Sequence, residues 1–431
     1  MFSRPMSNPP ERTAVIGWGS ISPLGQDPNE TWERSLAGES GISVITASWA
    51  DDLAIKIAGQ VQESALESLE PLLRRRSDRC AQLALIAARQ AWAMAQPFIS
   101  GIHPGRIAVV LGTGIGGLST MHEQHSQLTA GGPSRVNPLT VPMLIPDAAA
   151  GQVAIDLGAQ GGAHTPVSAC ASSAEALMLA QMLLNDDRAD LVLAGGTEAP
   201  VNRLGLVGFS TMRALSPGNH GPSQASRPYS QDRDGFVLSE GAGMLALIRA
   251  SEAPVGASQG WLLACGSSSD AHHIVAPEPQ GQQASLAIDD ALRRADISPR
   301  DLCAVQAHAT GTSLGDLAEA RALRRSLGSA ADHLPVCAPK GQLGHLLGAA
   351  GAVETILALQ ALRQGILPAS MNADPLDPNV ELAVTASGPF PLPTDQSERL
   401  LLKNAFGFGG HNISLVLAAP PAARNRPAQR D

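Results

Sequence analysis

From residue 13 to residue 417, short runs of β-branched and aliphatic residues alternate with longer stretches of helical periodicity. No other feature constrains the fold as much. Strand candidates span residues 13–17, 107–111, 191–194, 244–248, 261–264, 304–307 and 413–417; helix candidates include 83–95, 172–184, 282–295, 317–327 and 350–362. Helices of that length between strands predict βαβ units, and so an α/β protein with a mostly parallel sheet. Ala, Gly and Leu dominate while aromatics make up only 3%, which favours helices packed tightly on sheets over a β-sandwich. A chain of 431 residues, 44% hydrophobic, can bury a large core in two or three units.

A long-period echo refines this picture. Ala14-Val-Ile-Gly-Trp-Gly-Ser is answered by Leu262-Leu-Ala-Cys-Gly-Ser-Ser. Each segment opens a half, and each half later runs a strand into a reactive residue type, Cys170 in the first and His308 in the second. The expected organisation is two similar α/β halves, residues 12–255 and 256–419, sharing one site. Residues 1–11 and 420–431 read as disordered ends. Gly112-Thr-Gly114-Ile-Gly-Gly117 fits the dinucleotide fingerprint Gly-x-Gly-x-x-Gly after a strand. It begins far into the chain, however, and lacks the strand-end acid about 20 residues on that a ribose contact requires. We read it as a tight backbone crossing beneath a site.

The formal net charge of −9 argues against a nucleic-acid binder. Five scattered cysteines (Cys80, Cys170, Cys265, Cys303, Cys337) form no Cys-x-x-Cys pair, which suits free thiols in a reducing compartment and no zinc site. The first ten residues hold no signal-like apolar stretch, and no apolar run approaches the roughly 18 residues of a membrane span. The expectation is a cytoplasmic protein without membrane or nucleic-acid partners. Its cations are 27 arginines and three lysines, Lys56, Lys340 and Lys403, so a lysine near a candidate site carries extra weight.

Three segments carry reactive groups. In Val167-Ser-Ala-Cys170-Ala-Ser-Ser-Ala-Glu, a strand ends in a small-residue turn and a helix starts at once. A cysteine there resembles a nucleophile elbow, and the helix terminus favours its thiolate. A small buried thiol filling space fits the same pattern, and the segment alone does not choose. Val305-Gln-Ala-His308-Ala-Thr310-Gly-Thr312 sets a histidine at a strand end. Ala338-Pro-Lys340-Gly-Gln-Leu-Gly-His345, followed by a Gly-rich run to Glu354, sets another beside a rare lysine. Histidines 103, 122, 125, 220, 333 and 411 are read as ordinary structure.

These segments, in this order, resemble the elongating β-ketoacyl-acyl-carrier-protein synthases of the thiolase superfamily, close to the type II enzyme. The resemblance runs from Thr13-Ala-Val-Ile-Gly-Trp-Gly to Asn404-Ala-Phe-Gly-Phe-Gly-Gly-His-Asn412. It includes Leu193-Ala-Gly-Gly-Thr-Glu-Ala and Ser226-Arg-Pro-Tyr-Ser-Gln-Asp-Arg-Asp-Gly-Phe. It implies a thiolase-like α/β fold, two similar halves of mixed, mainly parallel sheet sandwiched by helices as α-β-α-β-α. It also implies a Cys-His-His centre at Cys170, His308 and His345. Lys340 and Glu354 would orient that centre, and the N–H groups of Cys170 and Phe408 would form an oxyanion hole. The same resemblance makes Phe408 the gatekeeper, Thr310 and Thr312 pantetheine contacts, and Ile115 and Thr140 acyl-pocket positions. Arg74, Arg75, Arg76, Arg79 and Arg213 become the docking patch for an acidic acyl carrier protein.

The implied reaction is decarboxylative condensation of a cysteine-bound acyl chain with a malonyl unit on the carrier, with no cofactor beyond the carrier's phosphopantetheine. The implied assembly is a homodimer, or a heterodimer with a related subunit. Initiating relatives pair the cysteine with His and Asn, and chain-length factors lack the nucleophile; this chain keeps Cys170 and both histidines. Two departures bear on substrate. Asp270-Ala-His-His273 is followed by Ile274 and Val275 where the family often has threonine, and Thr140 stands where close relatives carry phenylalanine. They point slightly toward a specialised polyketide or polyene pathway over fatty-acid synthesis. A non-catalytic partner subunit and a thiolase acting on coenzyme A esters are the competing readings.

Overall fold

The computed structural model describes residues 11–218, 221–394 and 398–419. The ends expected to be disordered lie outside the described residues, except Glu11, whose carboxylate accepts the Ser251 N–H at 2.9 Å. Ten strands form one sheet: β1 (Thr13–Ile21), β2 (Ile107–Gly112), β3 (Ala163–His164), β4 (Leu191–Glu198), β5 (Gly241–Arg249), β6 (Gly260–Ser269), β7 (Ala304–Gln306), β8 (Val336–Cys337), β9 (Arg399–Gly407) and β10 (His411–Ala419). Their spatial order is β8-β7-β9-β10-β6-β1-β5-β4-β2-β3.

That order is two copies of one pattern. In the first half β1 pairs antiparallel with β5, β5 antiparallel with β4, and β4 parallel with β2, which pairs parallel with β3. The second half repeats each step with β6, β10, β9, β7 and β8. The two inner strands, β1 and β6, join the halves at Thr13–Val15 and Gly260–Leu262. Helical crossovers enforce parallel pairing at the two ends of the sheet, while β9 and β10 pair antiparallel across a short hairpin.

The helices α1 (Arg79–Ala95), α2 (Ser172–Asn185), α3 (Gln282–Ala295), α4 (Ser313–Leu327) and α5 (Ala350–Gln364) complete five layers. α1 covers the outer face of the first half and α3 with α4 that of the second; α2 and α5 lie between the two. The echo now has a physical cause. A Cβ on Gly19 of β1 would fall 2.1 Å from the Ala87 carbonyl of α1, and one on Gly266 of β6 would fall 2.1 Å from the Ala287 carbonyl of α3. Each half presses its covering helix onto its first strand at a glycine.

α5 is buried on every side from Ala350 to Leu362. A helix with no wet face belongs to a core, and an ionised residue in it needs partners. Glu354 is such a residue. Among the described residues, no helix is long and apolar enough to cross a membrane.

Candidate active site

β3 leads into a single turn, Ala169–Ala171, and α2 begins at the next residue. Ala169 adopts φ +50°, an uncomfortable conformation for a residue with a Cβ. The Ser172 hydroxyl fastens this reversal by accepting the Ser168 N–H at 3.0 Å, and it lies 2.7 Å from the Ala169 carbonyl. The turn thus presents Cys170 at the mouth of the helix. Its thiol is buried, and burial pushes it up to about 12. The Lys340 charge and the backbone N–H groups of Phe408 and Cys170 pull the other way, while the Glu198 carboxylate adds to the rise. The thiolate that the helix terminus alone would favour is therefore overridden, and the resting group is a thiol.

His308 follows β7, and His345 lies between the short helix Lys340–Leu343 and α5. By strand order, the counterpart of the Cys170 turn is the His345 segment, since both link the outermost strand of a half to a central helix. The two imidazole centroids are 5.5 Å apart with planes at 82°. Phe236 packs edge-on against His345 at 5.1 Å, and Phe406 lies 5.8 Å from His308. Among the described residues neither buried Nδ1 has a hydrogen-bond partner. Burial, reinforced by the Lys340 charge, holds both imidazoles well below their ordinary pKa, so both are neutral near pH 7.

Two carboxylates of α4 hold the His308 turn from beneath. Glu319 accepts the N–H groups of His308 at 2.8 Å and Ala309 at 2.7 Å, the Asn404 amide at 3.0 Å and the Tyr229 hydroxyl at 3.2 Å. Asp316 accepts the N–H groups of Gly311 at 3.0 Å and Tyr229 at 2.7 Å. Burial pushes Asp316 up to about 7. Thr312 caps α4 by accepting the Gly315 N–H at 3.2 Å, and its hydroxyl meets that of Thr310 at 3.0 Å.

Lys340 and Glu354 are both fully buried, with Nζ 2.5 Å from Oε1. Lys403, from β9, lies 3.1 Å from Oε2 of the same carboxylate and donates to the Asn404 carbonyl at 2.8 Å. A cavity of about 320 Å³ opens onto the centre, and Cys170, His308, His345, Thr310, Thr312 and Phe408 all line it. Phe408 sits in the turn between β9 and β10. Exposed Arg213 also lines this cavity.

Other expected positions stand apart. Ile115 packs against the apolar cluster that contains Cys170, and Thr140 starts the short helix Thr140–Leu144 with its hydroxyl on the Asn137 carbonyl at 2.5 Å. Neither lines the cavity. Arg75 and Arg76 are exposed and Arg74 is half-buried, none of them ion-paired among the described residues. Arg79 does not belong with them. Its guanidinium turns inward, donating to Glu240 at 2.7 and 2.9 Å, Glu63 at 2.5 Å and the Val61 carbonyl at 2.9 Å. The charge is consumed inside the fold and offers nothing to a docking partner.

The fingerprint-like glycines are the backbone crossing that the sequence suggested. A Cβ on Gly112 would meet the Ser172 carbonyl at 2.3 Å. The Gly114, Ile115 and Gly348 N–H groups, with the Thr113 hydroxyl, all donate to buried Glu198. Sequence reasoning assigned no role to Glu198, Asp316, Glu319, Asn404 or Lys403. Glu198 and Asn404 lie in segments that carry the resemblance, and Lys403 stood out as one of three lysines; Glu319 carried no signal.

Residues 10–253 match the family described as beta-ketoacyl synthase, N-terminal domain, and residues 260–374 its C-terminal domain. A 3-oxoacyl-[acyl-carrier-protein] synthase 2 of Staphylococcus aureus is 38% identical over 94% of this chain and 98% of its own. One from Synechocystis is 36% identical over 94% and 97%. Among solved structures, a beta-ketoacyl synthase from Burkholderia phymatum superposes with a TM-score of 0.86 at 26% identity, covering 96% of this chain and all of that one. A ketosynthase from Xenorhabdus doucetiae, solved in complex with its chain length factor, gives 0.80 at 29% identity over 97% and 99%. A type II polyketide ketosynthase complex with an acyl-carrier protein gives 0.87 at 28% identity over 96% and 100%.

Proposed function

The chain belongs to the beta-ketoacyl synthase family, and from that premise we propose that it is an elongating β-ketoacyl-[acyl-carrier-protein] synthase. The observation that carries this reading is the convergence of Cys170, His308 and His345 on one cavity.

In the first half-reaction the Cys170 sulfur attacks the thioester carbonyl of an acyl-carrier protein. The new S–C bond forms, the carrier's thiol leaves, and the proton of the resting Cys170 thiol ends on that leaving sulfur. The N–H groups of Cys170 and Phe408 receive the developing oxyanion. In the second, malonyl-carrier loses carbon dioxide; the electrons of the broken C–C bond flow onto the thioester oxygen. Neutral His308 and His345 donate hydrogen bonds to that enolate oxygen, worth roughly 2.7–4 kcal/mol each on the scale of oxyanion-hole deletions. The carbanion then attacks the acyl-Cys170 carbonyl: a C–C bond forms, the acyl–sulfur bond breaks, the Cys170 thiolate leaves and takes a proton from water, and the β-ketoacyl carrier departs two carbons longer. The sequence is redox-neutral and so calls for no redox cofactor.

Lys340 and Glu354 hold the centre from behind. Thr310 and Thr312 meet the pantetheine arm along the cavity, and Phe408 gates the acyl chain. Arg74, Arg75, Arg76 and Arg213 steer an acidic carrier protein to the entrance. The chain acts in the cytoplasm as a dimer, with itself or with a ketosynthase-like partner, and Ile115 and Thr140 complete an acyl pocket on the dimer side. Fatty-acid and type II polyketide or polyene synthesis both use this reaction.

Intact mass after incubation with acyl-carrier proteins tests the reading. An adduct on the wild type, absent in Cys170→Ala and discharged to a longer product by malonyl-carrier protein, is the expected result. No adduct at any chain length from folded protein would overturn it in favour of a non-catalytic subunit.

A further inference from the structure

The chain holds three lysines, and two of them meet on one carboxylate with no access to solvent. One counter-charge would satisfy Glu354. Lys340 supplies it at 2.5 Å from Oε1, and its charge acts on His308, on His345 and on Cys170. Lys403 approaches Oε2 at 3.1 Å from the opposite element, β9, three residues before Phe406 and five before Phe408. Buried charge is costly unless balanced, so a second ammonium on a neutralised pair calls for a role.

We propose that Lys403 is a positioning residue for the decarboxylation step. By setting a second ammonium 3.1 Å from the other oxygen of Glu354, it leaves the Lys340 charge uncompensated toward the two imidazoles on which it acts. With Lys403 present, the Lys–Glu–Lys unit carries a net charge of +1; without it, the pair is neutral. A positive charge in a closed, low-dielectric site stabilises the enolate as it forms and opposes protonation of the imidazoles that must donate to it. The groups that face Lys403 fit this role. They are Glu354 from α5, Lys340 from the short helix before His345, and Glu319 from α4, with the two imidazoles within reach of its charge. Burial lowers the Lys403 ammonium, and the Glu354 and Glu319 carboxylates oppose that fall. The Asn404 carbonyl, which Lys403 also holds, belongs to the residue whose amide supports Glu319 under His308.

The inference rests on the condensation reading above, and the test separates the two. Cys170 acylation, followed by intact mass, and carbon dioxide release from malonyl-carrier protein are measured for wild type, Lys403→Met, and the double variant Lys403→Met with Glu354→Gln. Thermal unfolding is followed for each. Because the Lys403 charge itself bears on His308 and His345, the imidazoles of the decarboxylation step, Lys403→Met should acylate within about threefold of wild type, with a KM for malonyl-carrier protein little changed. Its kcat for decarboxylation should fall on the order of 30-fold, less than the ~10²–10³ expected for a donor that touches the oxyanion. The double variant should regain at least about fivefold of the lost rate, because removing the carboxylate charge frees Lys340 again. Should Lys403→Met fail to fold, Lys403→Gln keeps an N–H for Glu354 without the charge and carries the same expectation. Equal loss in both steps, no loss in either, or a double variant no better than the single would each overturn the assignment. A wild type that neither acylates nor decarboxylates would instead overturn the ketosynthase reading, and this inference with it.

Discussion

The residues of this centre are tuned by burial more than by their sequence neighbours. The turn into α2 is legible in the sequence, and so is a cysteine at its apex. The sequence argues for a thiolate there because a helix N-terminus attracts negative charge. The structure sets against this a buried thiol in the wall of the cavity, and burial wins, pushing it up to about 12. The thiolate fraction of a group that titrates so high grows about tenfold per pH unit over the whole neutral and mildly alkaline range. Alkylation of Cys170 by iodoacetamide, followed by intact mass with Cys170→Ala as control, should therefore climb about tenfold per unit from about pH 7 to about pH 9. A rate already level across that range would show that the helix terminus and Lys340 together outweigh burial. Residue-level reading also missed Lys403, for a physical reason. A strand whose middle holds a lysine and an asparagine, both fully buried, shows neither the alternation of a half-exposed strand nor the unbroken apolar run of a core strand.

At the scale of elements, the long periodic segments were legible and the short ones were not. The helix expected at 282–295 is α3, residue for residue, and those at 172–184 and 350–362 differ from α2 and α5 only at their C-terminal ends. β3 and β8 span two residues each, too few for any pattern to register, yet they set the Cys170 turn and the Lys340 segment in place. The support beneath His308 was equally hidden, because it depends on which face of α4 turns inward. Asp316 sits on that face, and its hydrogen bonds to Gly311 and Tyr229 join α4 to the loop that carries His308. Burial raises its carboxyl to about 7, above an unfolded value of about 3.9. A carboxyl raised by folding contributes stability that is fully present below the unfolded value and is lost as pH rises through the folded one. For Asp316 that window runs from about 4 to about 7 and is worth up to ~4 kcal/mol. Urea unfolding at about pH 4.5 and about pH 8 should show wild type losing more stability over the interval than Asp316→Asn, which imitates the neutral group at both values. Identical pH slopes in the two proteins would mean that the Gly311 and Tyr229 hydrogen bonds keep the carboxylate ionised throughout.

Across the whole molecule, the repeat predicts two halves, and the packing argues against either half standing alone. Each has its own first strand, covering helix and outer parallel strands, so symmetry alone would allow two independent units. The packing runs against that. α5 belongs by sequence to the second half, yet it is buried along its length and packs against β5 of the first half as well as β9 and β10 of the second. β1 and β6 continue one sheet across the boundary. The site divides in the same way, with Cys170 from one half and His308, His345, Lys340 and Lys403 from the other. Burying one large side chain contributes roughly 1.5–3 kcal/mol, so a half deprived of the α5 layer loses several such contributions at once. Residues 12–255 produced alone should therefore be unfolded or aggregated by dichroism and light scattering. The full chain should melt in one calorimetric transition with matching van't Hoff and calorimetric enthalpies. Two separate transitions, or a cooperatively folded fragment, would mean that the shared helix layer is a contact between finished domains. In that case the active site would be assembled after folding instead of by it.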